Sequence, residues 1–490
     1  MGTLLRVVRE NRGIIALLLF TLAVRGGLMI AQFRQLENDP DLYYLMASNI
    51  VRFAAFSRED PTNVGSNTSE MRPSAFRPPL YPIVLSNLAV GKDKIIHFES
   101  IALVHLGLGL ATVWLTWRIA QSLQLGWGSY LAGVLVACDP ILLAYQPQVM
   151  TETLAAFCAV LAWGLLVRFH FDRNWWNAGL AGGAIGLAAL CRPTFLPWLA
   201  VIPFIVLWMQ PGKPADRESA TDREPRWNLR VLNCVALLIG GLGVMFPWAW
   251  RNYREFKSPL LTTTHGGYTL YLANNRHFYR YVREDDSGLP WEPKQELVWT
   301  DGGLQYTQSF RAERRSELYD KKDAPFSRST PNNELAIDNY QTNLAQEAMR
   351  ADPVGFVLAA LYRVRQLWTP LAYRTEANES LSRTLLRYVS AAWYCAVYGL
   401  ALAGLLQLRG NVLRSPWVFG VALCCTFTAV HTLYWCNLRM RAPLMPIVAV
   451  VAGVGAVELT KQIGSHHSAL PRNTNSKIVS AISNTIRPTI

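Results

Sequence analysis

Charge is scarce in this chain. Asp, Glu, Lys and Arg make up 17% of its 490 residues, against about 25% in an ordinary soluble domain. Internal repeats and low-complexity tracts are missing too. With 51% hydrophobic residues, the composition excludes a disordered chain. No two cysteines form a CxxC pair. Cys138, Cys158, Cys191, Cys234, Cys395, Cys424, Cys425 and Cys436 fall mostly inside apolar stretches. That usage gives no support to zinc binding or thiol–disulfide chemistry, and it excludes a disulfide-stapled secreted domain. A buried thiol acts as a small hydrophobe. The net charge is +13, but no basic stripe carries interleaved aromatics, so nucleic acid is not an expected partner.

What fills the chain instead is a series of apolar runs about twenty residues long, the length an α-helix needs to cross a bilayer. They lie at about Gly13–Phe33, Ser100–Ala120, Trp127–Tyr145, Val149–Phe169, Ala178–Cys191, Thr194–Met209, Val231–Trp248, Leu386–Leu406, Trp417–Trp435 and Pro443–Leu459. The expected fold class is an α-helical polytopic membrane protein with about ten transmembrane helices. The Ala178 and Thr194 runs are short. Broken spans of that kind are tolerated where protein or a cavity covers them. Basic residues precede the first run, as in a signal peptide. However, no small-residue cleavage site is evident and Arg25 interrupts the run, so an uncleaved first span is expected.

Short-loop Lys/Arg bias sets the orientation. With the N-terminus inside, the cytoplasmic face receives Arg6, Arg9, Arg12, Arg118, Arg168, Arg173, the basic loop from Lys213 to Arg230, Arg409, Arg414 and the tail from Lys461. The outer face then receives a loop at 34–98 and a long segment at 251–385. The predicted organisation is an N-terminal transmembrane module (1–250) and a small extracytoplasmic α or α/β domain (251–385). C-terminal transmembrane helices (386–460) and a cytoplasmic tail (461–490) follow. Within the outer segment, Pro353–Trp368 is amphipathic, with Arg363 and Arg365 on an otherwise apolar stretch, and reads as a helix lying in the membrane interface.

Several charges break the topology rule, and all map to the outer face: Asp39, Asp41, Glu152, Arg192, Arg251, Arg439 and Arg441. Ionisable groups at a membrane are costly, and are paired or functional when present. Taken singly, each reads as an interfacial cap or a snorkelling side chain, and Asp39 or Asp41 as the N-cap of a helix over 42–55. Taken together, they suit an anionic lipid headgroup beside a general base. Arginine's fork binds two phosphate oxygens at once. Arg72 and Arg77, around the rigid RPSAFRPPLYP turn, are positioned to join them.

The order of an apolar span, DPDLYYLMASNI, RPPLYP, TETLAAF, GLAALCRPTF, PWAWRNY with GGYTLYLANN, and RMRAPLMP resembles the bacterial branch of the protein-O-mannosyltransferase-like family. Its members (glycosyltransferase family 39/83-like) are multi-span glycosyltransferases of the GT-C fold, related to the enzyme that adds aminoarabinose to lipid A. The resemblance covers roughly 10–280 and 350–460, and leaves about 281–345 unmatched. It implies a polyprenyl-phosphate sugar as donor and a hydroxyl or amine acceptor at the outer face of the cytoplasmic (inner) membrane. The family's first outer loop carries its catalytic carboxylate, and Asp39, four before Tyr43, falls on that position. Many relatives have an Asp-Glu pair there. This chain has Asp39-Pro40, so Asp39 and Asp41 both stand as candidate bases. Arg439, Arg441, Arg192, Arg251 and Arg77 are the candidate donor-phosphate ligands, and Glu152, Tyr43 and Asn274 the candidate substrate-binding residues.

The residue types suit the chemistry. Arginines aimed at a departing phosphate stabilise its developing charge. A carboxylate can take the acceptor's proton, and single displacement would invert the anomeric centre. No cofactor is expected. A divalent metal is not predicted, because DPD offers two oxygen ligands and no further cluster completes a site. The competing classes are a membrane transporter or lipid-linked-glycan flippase, and an O-antigen polymerase or ligase-like enzyme. The sugar, the acceptor and the oligomeric state are not readable.

Overall fold

Among the described residues, ten apolar helices form the bundle that organises the fold. The computed structural model describes residues 11–61, 71–208, 226–284, 291, 296–300, 303–307, 334–374 and 378–469. The tail beyond 469 and most of the stretch 285–333 lie outside these.

Helix α1 (Arg12–Ala31) leads through a 3-10 turn into the loop that the charge rule assigns to the outer face, the first outer loop, which holds α2 (Tyr43–Phe53), α3 (Leu80–Ser86) and a hairpin of two-residue strands, β1–β2 (Ala89–Val90 and Ile95–Ile96). Then come α4 (Phe98–Ser122), α5 (Gly128–Ala137), α6 (Pro140–Tyr145), α7 (Glu152–Phe171), α8 (Trp175–Cys191), α9 (Leu196–Trp208) and α10 (Arg226–Phe256). Among the described residues, seven stretches are long and apolar enough to cross a membrane. Three shorter apolar helices, Trp175–Cys191, Pro193–Trp208 and Trp417–Leu433, complete the set. Every predicted span coincides with one of these ten.

One span is not a single helix. Trp127–Tyr145 was expected to run through, but it divides into α5 and α6 at Asp139-Pro140. The Asp139 carboxylate accepts from the Ile141 and Leu142 amides at 3.0 and 2.9 Å. Pro140 takes the first helical position, where its missing N–H costs nothing. Helices α8 and α10 pack backbone to backbone along a glycine seam: a Cβ on Gly186 would lie 2.5 Å from the Gly241 carbonyl oxygen. Small residues let membrane helices approach this closely.

A buried polar thread crosses the first half of the bundle. Arg25 donates to Gln146 Oε1 and to the Val136 carbonyl, both at 2.7 Å. His105 Nδ1 donates to the Gln146 carbonyl at 2.7 Å, and its Nε2 meets the Tyr81 hydroxyl at 2.8 Å. Arg25, which interrupts the first span in sequence, is thereby committed to the interior.

The outer segment comprises α11 (Gly266–Ala273), α12 (Arg276–Glu284), an antiparallel hairpin β3–β4 (Glu296–Thr300 and Gly303–Thr307), α13 (Glu334–Ala351) and α14 (Pro353–Trp368). Leu272, Phe278, Tyr279, Trp291 and Ala359 form its small core. Glu334, at the start of α13, clasps the first outer loop. It accepts from Ser74 Oγ, the Ala75 amide and Thr264 Oγ1 at 2.7–3.1 Å, and lies 3.2 Å from Arg58 Nε. Helix α14 spans the predicted interfacial stretch and exposes Val354, Val357, Leu358 and Leu361 on one face. Arg363 does not sit on that face. It is buried, donating to the Ala273 and Thr432 carbonyls at 2.5 Å each. Helices α15 (Leu381–Leu408) and α16 (Trp417–Leu433), a 3-10 turn (Leu438–Leu444) and α17 (Met445–Ala469) close the chain.

Candidate functional site

The 3-10 turn Leu438–Leu444 packs on the start of α7, and this brings the candidate charges together. Glu152 is the first residue of α7 and is 1% exposed. Its Oε1 lies 2.5 Å from Arg192 Nη2, at the end of α8, and 3.5 Å from Arg439 Nε. Arg192 Nε also donates to Thr151 Oγ1 at 3.0 Å. Arg439 turns its Nη1 toward Asp41 Oδ2 at 3.6 Å, and Arg77 Nη2 binds Asp41 Oδ1 at 2.7 Å. Arg439 therefore stands between two carboxylates, one from the outer loop and one from the bundle.

Asp39 lies beside this group and has a different environment. Its two oxygens accept the backbone amides of Tyr43 and Leu45 at 2.7 and 2.9 Å. Leu42, and not Asp39 or Asp41 as expected, holds the N-cap position of α2; the Asp39 carboxylate reaches the first amides from upstream. Burial raises its pKa above the usual carboxylate range. The amide hydrogen bonds oppose that rise, and the neighbouring Asp41 adds to it. Two carboxylates two residues apart thus differ in surroundings: Asp39 is held by backbone amides, and Asp41 is paired with Arg77 and Arg439. Tyr43 is buried below them, its ring edge-on to Tyr81 at 5.3 Å and 5.6 Å from the Arg77 guanidinium carbon.

Three candidates are not brought to this cluster. Arg441 is only two residues beyond Arg439, but in a 3-10 turn such residues point to different sides. It is 1% exposed, donates to the carbonyls of Leu367 and Thr369, and lies 4.0 Å over the Tyr394 ring. Arg251 binds the Ser74 carbonyl at 2.9 Å and the Phe56 carbonyl at 3.3 Å, bolting the first outer loop to α10. Asn274 donates to the Leu270 and Leu433 carbonyls and faces Arg363. Sequence reasoning passed over Tyr145, which lies in electrostatic reach of Arg439, Glu152, Arg192 and Asp41. Its place at the end of an apolar helix gave no signal. It also missed Thr151, although that residue stands inside the TETLAAF motif.

Residues 78–216 match the model of the family described as dolichyl-phosphate-mannose-protein mannosyltransferase. Among solved structures, the apo oligosaccharyltransferase of Archaeoglobus fulgidus superposes with a TM-score of 0.50 at 13% identity, over 93% of this chain and 51% of that one. The fold is GT-C-like. A second structure, the archaeal oligosaccharyltransferase AglB from the same organism in complex with an inhibitory peptide and a dolichol-phosphate, gives a TM-score of 0.49 at 12% identity, over 98% of this chain and 52% of that one. The GT-C-like chain thus spans about half the length of these structures. One curated relative, a glycerol-3-phosphate acyltransferase of Erythrobacter litoralis (strain HTCC2594), is 30% identical over 115 residues, covering 21% of this chain and 56% of its own.

Proposed function

We propose that this protein is an integral membrane glycosyltransferase. It would move a sugar from a polyprenyl-phosphate donor to an acceptor at the outer face of the cytoplasmic membrane, with inversion. The observation that carries the reading is the gathering of Arg77, Arg192 and Arg439 around Asp41 and Glu152, with Asp39 alongside. The residues come from the first outer loop, α7, α8 and the last 3-10 turn, and the charge rule puts all of these at the outer face. The match to the mannosyltransferase family over 78–216 supports the same class.

In the reaction, the acceptor oxygen forms a bond to C1 while the C1–O bond to phosphate breaks. The bonding pair passes to the phosphate oxygen, where the arginines stabilise it. Asp39, held rigidly and made more basic by burial, takes the acceptor's proton. Asp41 orders Arg77 and Arg439 from one side, and Glu152 orders Arg192 and Arg439 from the other. The exposed apolar face of α14 rests on the membrane, and Glu334 of the same segment clasps the loop that carries Asp39 and Asp41. A transporter would need a mobile charge within the spans. Arg25, the intramembrane cation of α1, is instead tied to Gln146 and Val136.

The test is sugar-blind. The purified chain is titrated with a polyprenyl phosphate and binding is followed by thermal shift, since a native-state ligand raises apparent stability. Saturable stabilisation that Arg439→Ala and Arg77→Ala weaken at least tenfold is expected. No binding by the wild type, or equal binding by both variants, overturns the reading.

A further inference from the structure

Five buried polar atoms at or beside the charged cluster have no hydrogen-bond partner among the described residues: Arg439 Nε, which faces Glu152 Oε1 at 3.5 Å, and Glu152 Oε2, Thr194 Oγ1, His431 Nε2 and Asn437 Oδ1. Such atoms also occur elsewhere in the chain, Asn49 Oδ1 and Ser129 Oγ among them, but the last four stand on elements that meet at the cluster, and buried polar atoms call for partners. Several contacts link them. Glu152 is held through its other oxygen by Arg192. Thr194 follows Arg192 by two residues, in the turn Pro193–Phe195, and that turn packs on α16 through Phe195 and Phe427, whose rings are 4.8 Å apart. His431 lies one helical turn beyond Phe427, is 2% exposed, and is in electrostatic reach of Arg192. Asn437 opens the turn that carries Arg439, and its side chain does not cap that turn.

The chemistry of these atoms is one-sided. Glu152 Oε2 and Asn437 Oδ1 only accept. His431 Nδ1 lies 3.1 Å from the Trp435 carbonyl oxygen. That partner can only accept, so Nδ1 carries the proton and Nε2 of the neutral ring is left as an acceptor. The Thr194 hydroxyl does either. The arginines beside them only donate. An anion is drawn to the arginines and repelled by the acceptors, whereas a group carrying several O–H donors suits the acceptors.

The geometry points to a sugar subsite formed by Glu152, Thr194, His431 and Asn437, next to the phosphate-facing arginines. It takes a glycosyl group presenting adjacent free hydroxyls. The assignment rests on the lipid-phosphate reading above and adds residues and a ligand chemistry to it.

The experiment compares citronellyl phosphate with citronellyl-phosphoryl mannose, glucose, galactose and arabinose. Each is titrated by thermal shift against the full chain and against Thr194→Val and His431→Phe. In the wild type, at least one glycosyl probe binds tenfold or more tighter than bare citronellyl phosphate. The variants abolish that gain and leave affinity for the bare phosphate unchanged. Thr194→Val exchanges a hydroxyl for a methyl of the same shape, and it carries the test should His431→Phe fail to fold. No gain from any sugar in a wild type that binds the phosphate overturns the subsite alone, as does equal loss of both ligands in a folded variant. A wild type that binds no citronellyl phosphate overturns the lipid-phosphate reading itself.

Discussion

Asp39→Asn separates the two carboxylates of the first outer loop. Asn keeps an acceptor for one of the two backbone amides that Asp39 holds, those of Tyr43 and Leu45. One lost hydrogen bond costs roughly 0.5–1.5 kcal/mol, so the variant folds and melts only slightly lower. Its chemistry changes far more. A general base contributes about 10²–10⁴-fold, equivalent to roughly 3–5 kcal/mol of barrier. The expected result is a kcat lower by that factor, with the affinity for polyprenyl phosphate unchanged. The pH profile of kcat/KM gives a second readout. The base must be ionised, so the wild-type rate falls on acidification as the pH passes the raised pKa of Asp39. That midpoint lies above the ordinary carboxylate range because of burial, and the limb disappears in the variant. Transfer within a few-fold of wild type in both Asp39→Asn and Asp41→Asn would falsify a carboxylate base. Loss of kcat in Asp41→Asn alone would exchange the two roles.

The other variants probe parts with different duties. Asp41→Asn removes the counter-charge of Arg77 and shares in that of Arg439; donor KM changes at least fivefold while kcat changes less, read from initial rates. Arg441→Ala removes the buried donor to Leu367 and Thr369 and the stack on Tyr394. Melting in detergent falls by the equivalent of about 3–5 kcal/mol, and the folded fraction binds lipid phosphate like the wild type. Glu334→Ala undoes the clasp on Ser74, Ala75 and Thr264 at about 2–4 kcal/mol, and limited proteolysis cuts the first outer loop faster.

The bundle was legible because a helix in lipid must be apolar along its whole length, which composition reports directly. The division at Asp139 was written in the sequence as an Asp-Pro pair, yet the apolar residues on both sides concealed it. The charges assigned to the outer face were legible as a set, since the arginines broke the orientation rule and the carboxylates stood at the same ends of the apolar runs. Their sorting was not. Arg439 and Arg441 carry the same side chain in one short motif, and only the path of the 3-10 turn sends one to Glu152 and the other under Tyr394. Arg251 looked like a ligand for the same reason, and is spent on carbonyls. The acceptor wall was invisible because His431, Asn437 and Thr194 are ordinary residues at the ends of apolar runs, joined only by folding.

The charges that meet at Arg439 also bear on how fast a transferase built this way would release its spent donor. Three arginines face Asp41 and Glu152, with the ionised Asp39 alongside, so the charges balance to zero until Asp39 takes the acceptor's proton, and to one positive charge afterwards. A sugar-bearing lipid phosphodiester carries one negative charge and enters before that proton has moved. Once the sugar has left, the lipid keeps a phosphate monoester, whose second pKa is about 6 and whose charge at neutral pH approaches −2. The spent lipid therefore fits this cradle better than the loaded one. Its departure, not the sugar's transfer, would set the turnover, and free polyprenyl phosphate would act as an inhibitor that weakens as the pH drops below about 6.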